Sequence, residues 1–257
     1  MQWHMKKYEV LDSTNLEARR TIEYTCAEQS LHGLVVMAEQ QTNGKGRMGR
    51  AWASSAGAGL WFSVVIKPAV PLAQASLYSF VAAVAVAEAI RQETALQVQL
   101  KWPNDVLLNG RKLCGILLEL VPCAKNETYI IIGIGVNVNQ QKSEFPDELQ
   151  DKAVSIAMAA HQQYDCLALL SPVLQKLDEN CLLLEREGFA PLREKWKQLS
   201  CMIGQTVSVQ PKGAEAYIGV AEDLAMDGTL LVRTQNGVIP VMTGDVSLRA
   251  KDGGYSF

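Results

Sequence analysis

The dipeptide Asn109-Gly110, set between Val106-Leu107-Leu108 and Arg111-Lys112-Leu113, constrains the fold of this chain more than any other feature. A two-residue loop between paired strands needs positive φ at its centre, and Asn-Gly adopts that conformation readily. The apolar series Leu113 to Leu120 must then run antiparallel to Val106 to Leu108, and Thr128 to Val138 supplies a further strand. Meanders of this kind predict an α+β domain with a mainly antiparallel sheet and helices on one side, rather than a Rossmann domain.

One loop carries the chemistry. From Gly44 to Arg50, three glycines and three cations fall within seven residues, in a chain of formal net charge -3. Strand-like runs flank the loop, Leu34 to Ala38 before it and Gly59 to Lys67 after it. Glycine lets a backbone turn sharply and approach an anion, whereas a loop that served only solubility would gain nothing from backbone so costly to order. The G-x-G-x-x-G at Gly44, Gly46 and Gly49 is not a dinucleotide fingerprint, because Arg50 to Gly57 leads into more loop and a strand instead of a helix. The lack of G-x-x-x-x-G-K-[ST] excludes a Walker loop. Lys45, Arg47 and Arg50 remain as candidate anion ligands. With a pI near 5.7, a local basic loop points to a small anionic molecule instead of duplex DNA.

Lys101 is a second candidate, at the end of a strand and before the rigid Trp102-Pro103; its competing role is a surface lysine packing its stem on Trp102. Arg111 and Lys112, after the hairpin turn, invite the same two readings. Gly133-Ile134-Gly135-Val136-Asn137-Val138-Asn139 places glycines at alternate strand positions, which leaves one sheet face bare for a ligand, unless this is a plain edge strand. Near the start, Tyr8 to Leu11 reads as a short strand, and Thr14 with Glu17 stand in capping-box register. Ser13 and Thr14 could cap a helix or offer polar groups to a ligand. Leu72 to Ile90 is the clearest helix, with an Ala-rich face suited to a sheet. Further helical patterns cover about Val154 to Ala160, Cys166 to Glu185 and Phe189 to Leu199. From Ile203 onward short strand-like runs alternate with Gly, Asp and Asn turns, predicting a small β-barrel. The expected division is 1–200 and 201–257.

Six cysteines without a CxxC pair, and three histidines, offer no metal spacing, so free buried thiols and no metal-ligating residues are expected. The N-terminus lacks the apolar core of a signal peptide, and Ala73 to Ile90 is too short and weak to span a bilayer. A cytoplasmic protein without membrane contact is the expectation.

Read together, Asp12-Ser13-Thr14-Asn15, Gln41 to Trp52, Lys101-Trp102-Pro103-Asn104-Asp105, Lys112 to Glu119, Gly133 to Asn139 and the tail Gly244-Asp245-Val246-Ser247-Leu248-Arg249 resemble, in order, the motifs of biotin–protein ligases. The resemblance covers nearly the whole chain. It implies a class II aminoacyl-tRNA-synthetase-like catalytic domain followed by an SH3-like barrel. It also implies an activity: biotin, ATP and Mg²⁺ give biotinyl-5′-AMP and pyrophosphate, and biotin then passes to a lysine of a carboxyl carrier protein such as that of acetyl-CoA carboxylase. By position, Ser13, Thr14, Gln41 and Gly44 would line the biotin site, and Gly115 would contact its ring through the backbone. Lys45 stands where many members have arginine. Arg47 would hold the carboxylate and the adenylate phosphate, and Lys101 would be the essential cation between them. Trp52 and Asn137 would shape the nucleotide site, with Asn104, Arg50 and Lys112 as further ligand contacts. The first motif begins at residue 12, leaving no room for the winged helix–turn–helix of repressor members, so DNA binding is not expected. The family resemblance allows a monomer or a homodimer.

The residue types suit that chemistry on their own terms. A carboxylate and an α-phosphoryl group repel by ~4 kcal/mol at ~4 Å in an effective dielectric of ~20. Preplaced cations offset this and meet charge developing in the transition state. Closure of Gly44 to Gly57 over the ligands would keep water from the mixed anhydride. The rival readings are a lipoate–protein ligase, which needs a different pocket for the acyl head, and a non-catalytic nucleotide- or RNA-binding module, which would want aromatic stacking platforms that the sequence lacks.

Overall fold

Asn109 and Gly110 both take positive φ, 50° and 72°, and Leu108 faces Arg111 across the turn, so the predicted hairpin forms. The computed structural model describes residues 1–25, 30–123, 127–211 and 215–242, and the backbone of 246–250. The hairpin strands are β5 (Asp105–Leu108) and β6 (Arg111–Cys123), and β7 (Glu127–Asn137) lies beside β6. With β1 (His4–Leu11), β2 (Leu34–Gln41), β3 (Gly59–Ile66) and β4 (Gln99–Lys101) they make a seven-stranded sheet in the order β1-β2-β3-β7-β6-β5-β4. Every pair is antiparallel except β1–β2, which is parallel because α1 (Thr14–Thr25) crosses between them.

Helices cover both faces of this sheet, not one as expected. Strand periodicity explains the division. In β3, Leu60, Phe62, Val64 and Ile66 point to the large core, which contains α2 (Leu77–Thr94), α4 (Leu170–Glu187) and α5 (Phe189–Leu199). Val65 points the other way, with Val36, Val121 and Ile131, onto Ala18 and Ile22 of α1. The helix predicted from Leu72 begins at Leu77 after a 3₁₀ turn over Leu72–Gln74. It is buried nearly all round because α4 and α5 cover its outer side. The short α3 (Ile156–Ala160) is capped by Ser155, whose hydroxyl accepts the Met158 N–H at 3.1 Å. The capping box predicted on Thr14 does not form, since Thr14 is the first helical residue and its hydroxyl meets Ser63 and Gln41.

The C-terminal strands are β8 (Thr206–Pro211), β9 (Tyr217–Leu224), β10 (Leu230–Thr234), β11 (Gly237–Val241) and β12 (Val246–Ala250), in the order β11-β10-β9-β8-β12. The expected SH3-like barrel is corrected here. Among the described residues β11 and β12 are the unpaired ends of an open antiparallel sheet. A sheet closes to bury its inner face on itself. Here Val207, Val209, Ala221, Leu224, Leu230 and Val232 instead join the core that holds α2 and α5. Polar contacts reinforce the junction: Lys197 of α5 pairs with Asp223 at 3.1 Å, and Arg193 pairs with the same carboxylate.

The Trp102 indole N–H donates to the Gly228 carbonyl at 3.0 Å, locking the β9–β10 turn against the end of β4. Gly228 has φ 84°, and a Cβ there would come within 2.6 Å of Phe80. Trp102→Phe removes the indole N–H together with part of a buried ring, leaving that carbonyl without its donor beside a small void, and should lower stability by at least about 1–2 kcal/mol in urea denaturation. An unchanged midpoint would show that the bond contributes nothing.

Cys114, Cys166, Cys181 and Cys201 are free, and burial pushes the Cys181 and Cys201 thiols up to about 12 and about 11. Cys123 is disulfide-bonded, which corrects the expectation of free thiols throughout; Cys26 lies outside the described residues, as do Gly244 and Asp245 of the tail motif. Among the described residues no helix is long and apolar enough to cross a membrane.

Candidate active site

On the α1 face, the sheet is left bare where β6 and β7 carry glycine: Gly115 faces Gly135 across the strands, with Gly133 two residues earlier on β7. Two side chains fill part of this face. The Trp52 indole lies on Gly115 and Gly135, where added Cβ atoms would come within 2.8 and 2.6 Å of its ring, and Asn15 lies on Gly133. The alternate glycines therefore admit protein side chains as well as a ligand. Beside Trp52 opens a cavity of about 350 Å³, walled by the start of α1, the basic loop, the end of β4, the strands β6 and β7, and the segment 145–153.

Ser13, Thr14, Gln41, Lys45, Arg47, Arg50, Trp52, Lys101, Asn104, Lys112, Gly115 and Asn137 all line this cavity. Gly44 does not. It sits behind the wall, where a Cβ would come 2.5 Å from the Trp52 carbonyl oxygen, so its part is to let the loop fold tightly.

The basic loop is a small hairpin. Trp52 N–H donates to Gly44 O at 2.8 Å and Gly46 N–H to Arg50 O at 2.7 Å, while Met48 and Gly49 turn the tip with φ 56° and 72°. Arg47 reaches across and donates to Asn104 Oδ1 at 2.9 Å. The other end of the Asn104 amide donates to Ile116 O, so one side chain ties the loop to β6. Burial pulls the Arg47 guanidinium below its ordinary pKa, against the attraction of Asp105, yet arginine stays charged at any working pH.

Lys101 closes the floor at the end of β4 and is only 3% exposed. The Trp102–Pro103 peptide that follows it is cis. Lys112 is held from two sides: its Nζ is 2.6 Å from Asp105 Oδ1 and 5.4 Å from the centre of the Trp52 ring. Asn137 has less freedom than expected for a ligand contact, because its amide donates to Val154 O at 3.2 Å and accepts from Gln140 at 3.3 Å. The Trp52 indole N–H is buried with no partner.

The cavity wall thus carries six cations, Lys45, Arg47, Arg50, Lys101, Lys112 and Lys152, against one carboxylate, Asp105. That inverts the sign of the whole chain and suits a ligand with several negative charges. Phe145, Leu149, Lys152 and Ala153 are lining residues that the sequence did not single out. The stretch Gln140 to Leu149 is polar, charged and Pro-containing and reads as an ordinary loop, so no local signal marks Phe145 or Leu149 for the cavity wall.

Comparison with known proteins agrees with this geometry. Residues 9–137 match the biotin/lipoate A/B protein ligase family, and residues 202–249 match the biotin protein ligase C-terminal domain. The chain is 34% identical over 248 residues to the bifunctional ligase/repressor BirA of Bacillus subtilis, covering 96% of this chain and 75% of that protein. It is 33% identical over 240 residues to a biotin–[acetyl-CoA-carboxylase] ligase of Paracoccus denitrificans, covering 89% and 95%. Its structure superposes on the biotin protein ligase of Aquifex aeolicus in complex with biotin and ATP with a TM-score of 0.82 at 30% identity, covering 96% and 99% of the two chains. The chain belongs to the biotin/lipoate A/B protein ligase family.

Proposed function

We infer that this protein is an ATP-dependent biotin–protein ligase, which makes biotinyl-5′-AMP and passes the biotinyl group to a lysine of a carboxyl carrier protein. The observation that carries the reading is the convergence of six cations on one cavity beside a polar floor built from Thr14 and Gln41. In the first step a biotin carboxylate oxygen attacks the α-phosphorus of ATP and pyrophosphate leaves. Lys101 and Arg47 stand to neutralise the two approaching anions before reaction, so that little reorganisation is needed in the transition state. In the second step the carrier lysine, as a neutral amine, attacks the acyl carbon and AMP leaves. Neither step calls for a covalent link to the protein.

Magnesium would accompany ATP. Magnesium commonly takes its ligands from substrate phosphates and water, so it would be held through the nucleotide. The apolar Phe145 and Leu149 offer a surface for the nucleobase end of the ligand. We assign residues 1–200 to catalysis and 201–257 to a C-terminal unit that steadies the end of β4 through Trp102. The Arg47–Asn104 bond makes the basic loop a latch, and its closing on ligand should protect Gly44 to Gly57 from protease when biotin and ATP are added together.

Mixing the protein with biotin, ATP, magnesium and an isolated biotin carrier domain should add one biotinyl mass to one carrier lysine in a mass spectrum. Lipoate in place of biotin should add nothing. Modification by lipoate alone would move the assignment to the other branch of the family, and modification by neither would remove it.

A further inference from the structure

Thr14 is one of the groups expected to meet the ligand ring, and the direction of its hydroxyl proton decides what it can bind. Four side chains behind it determine that direction. Arg19 donates to Glu119 Oε1 at 3.2 Å, and Asn15 Nδ2 donates to the other oxygen, Oε2, at 2.8 Å. Carboxylate oxygens only accept, so the Asn15 amide is held with Oδ1 turned away from Glu119. That amide rests on bare backbone: a Cβ on Gly133 would lie 2.2 Å from Asn15 Oδ1.

Ser63, fully buried on β3, has its Oγ 2.6 Å from Asn15 Oδ1 and 2.7 Å from Thr14 Oγ1. Serine has one hydroxyl proton, and an amide oxygen has none to give. The Ser63 proton therefore goes to Asn15, and Ser63 presents lone pairs to Thr14. The Thr14 proton is left with two protein acceptors, Ser63 Oγ and, at 3.2 Å, Gln41 Oε1. Neither choice leaves a proton for the ligand. Gln41 has the opposite character: its Oε1 accepts the Thr14 N–H at 2.8 Å, and its Nε2 gives one hydrogen to Ser54 at 2.9 Å and keeps a second.

We propose that Glu119 and Ser63, which do not line the cavity, are positioning residues that hold Thr14 as a hydrogen-bond acceptor and so select a ligand ring bearing N–H donors. The inference rests on the reading of the site as one for biotin, whose cyclic urea pairs N–H donors with a carbonyl acceptor, as Thr14 and Gln41 require. A dithiolane ring offers neither.

The test is Glu119→Gln, which keeps size and changes polarity. Arg19 claims the new amide oxygen, the new N–H meets Asn15, and each donor in the chain reverses, so that Ser63 donates to Thr14 and the Thr14 proton keeps only the longer contact to Gln41 Oε1, at 3.2 Å, against the pull of a ligand acceptor in the cavity. Calorimetry would compare biotin with its two cyclic carbamate analogues, in which one or the other ureido N–H is replaced by oxygen. The parent should prefer biotin by about tenfold or more over one of them. E119Q and S63A should each weaken biotin by about tenfold and bring that preference close to one, with the KM for ATP unchanged. A general structural lesion would weaken all ring ligands alike and leave the preference intact. A preserved preference in both variants, or its absence in the parent, overturns the assignment. A parent that bound no biotin would overturn the underlying reading as well.

Discussion

Lys101→Ala should lower biotin-dependent pyrophosphate exchange by about two to three orders of magnitude, the ~3–4 kcal/mol typical of removing one preplaced group that stabilises developing charge. The side chain is 3% exposed, so its ammonium acts through little water, and the strand end that carries it is fixed on both sides. Leu100 is bridged to Ser200, and Trp102 is held by Gly228. Lys101→Arg should recover little, because a planar fork cannot occupy the place of a compact ammonium at the end of a short strand. Melting temperatures would separate lost chemistry from lost fold. Exchange within tenfold of the parent, in a folded variant, would rule out Lys101 as the central cation.

Arg47→Ala should leave formation of the adenylate measurable but let the intermediate escape, with release faster by about 10- to 100-fold, as expected for loss of charge-assisted hydrogen bonds. The guanidinium reaches over the cavity from a loop whose hairpin bonds are its own, so its removal spares the fold. Asn104→Ala should have a smaller effect in the same direction, because it frees the latch without removing the charge. Trapping labelled biotinyl-5′-AMP on the protein and following its loss on dilution would measure both. Retention equal to the parent in Arg47→Ala would mean that the loop does not hold the adenylate.

Much of the site was legible in sequence because its pieces are local. A basic, glycine-rich loop between strands can be read residue by residue, and so can Lys101 before Trp102-Pro103. Gly44 shows the limit of that approach. It belongs to the motif, but its role is to allow the Trp52 carbonyl to pack closely, which only the folded chain reveals. Phe145 and Leu149 show the converse: nothing in a polar loop announces that it folds back over a cavity whose other walls run from Ser13 to Asn137. Ser63 stayed hidden because a serine within the strand Gly59–Ile66 looks like any polar break in an apolar run.

By itself the sequence determined the hairpin at Asn109-Gly110, the antiparallel meander that follows, the position of the main helix and the sign of the binding loop. These rest on dihedral preference, side-chain periodicity and net charge over a few adjacent residues. The tertiary structure alone decided that α1 covers the second face of the sheet, that the C-terminal strands stay open against α5, and that Glu119 speaks to Thr14 through Asn15 and Ser63. Each of these depends on contacts between segments far apart in the chain. Their free energy comes from shared burial and from the direction of individual protons, and neither is written in any local stretch of residues.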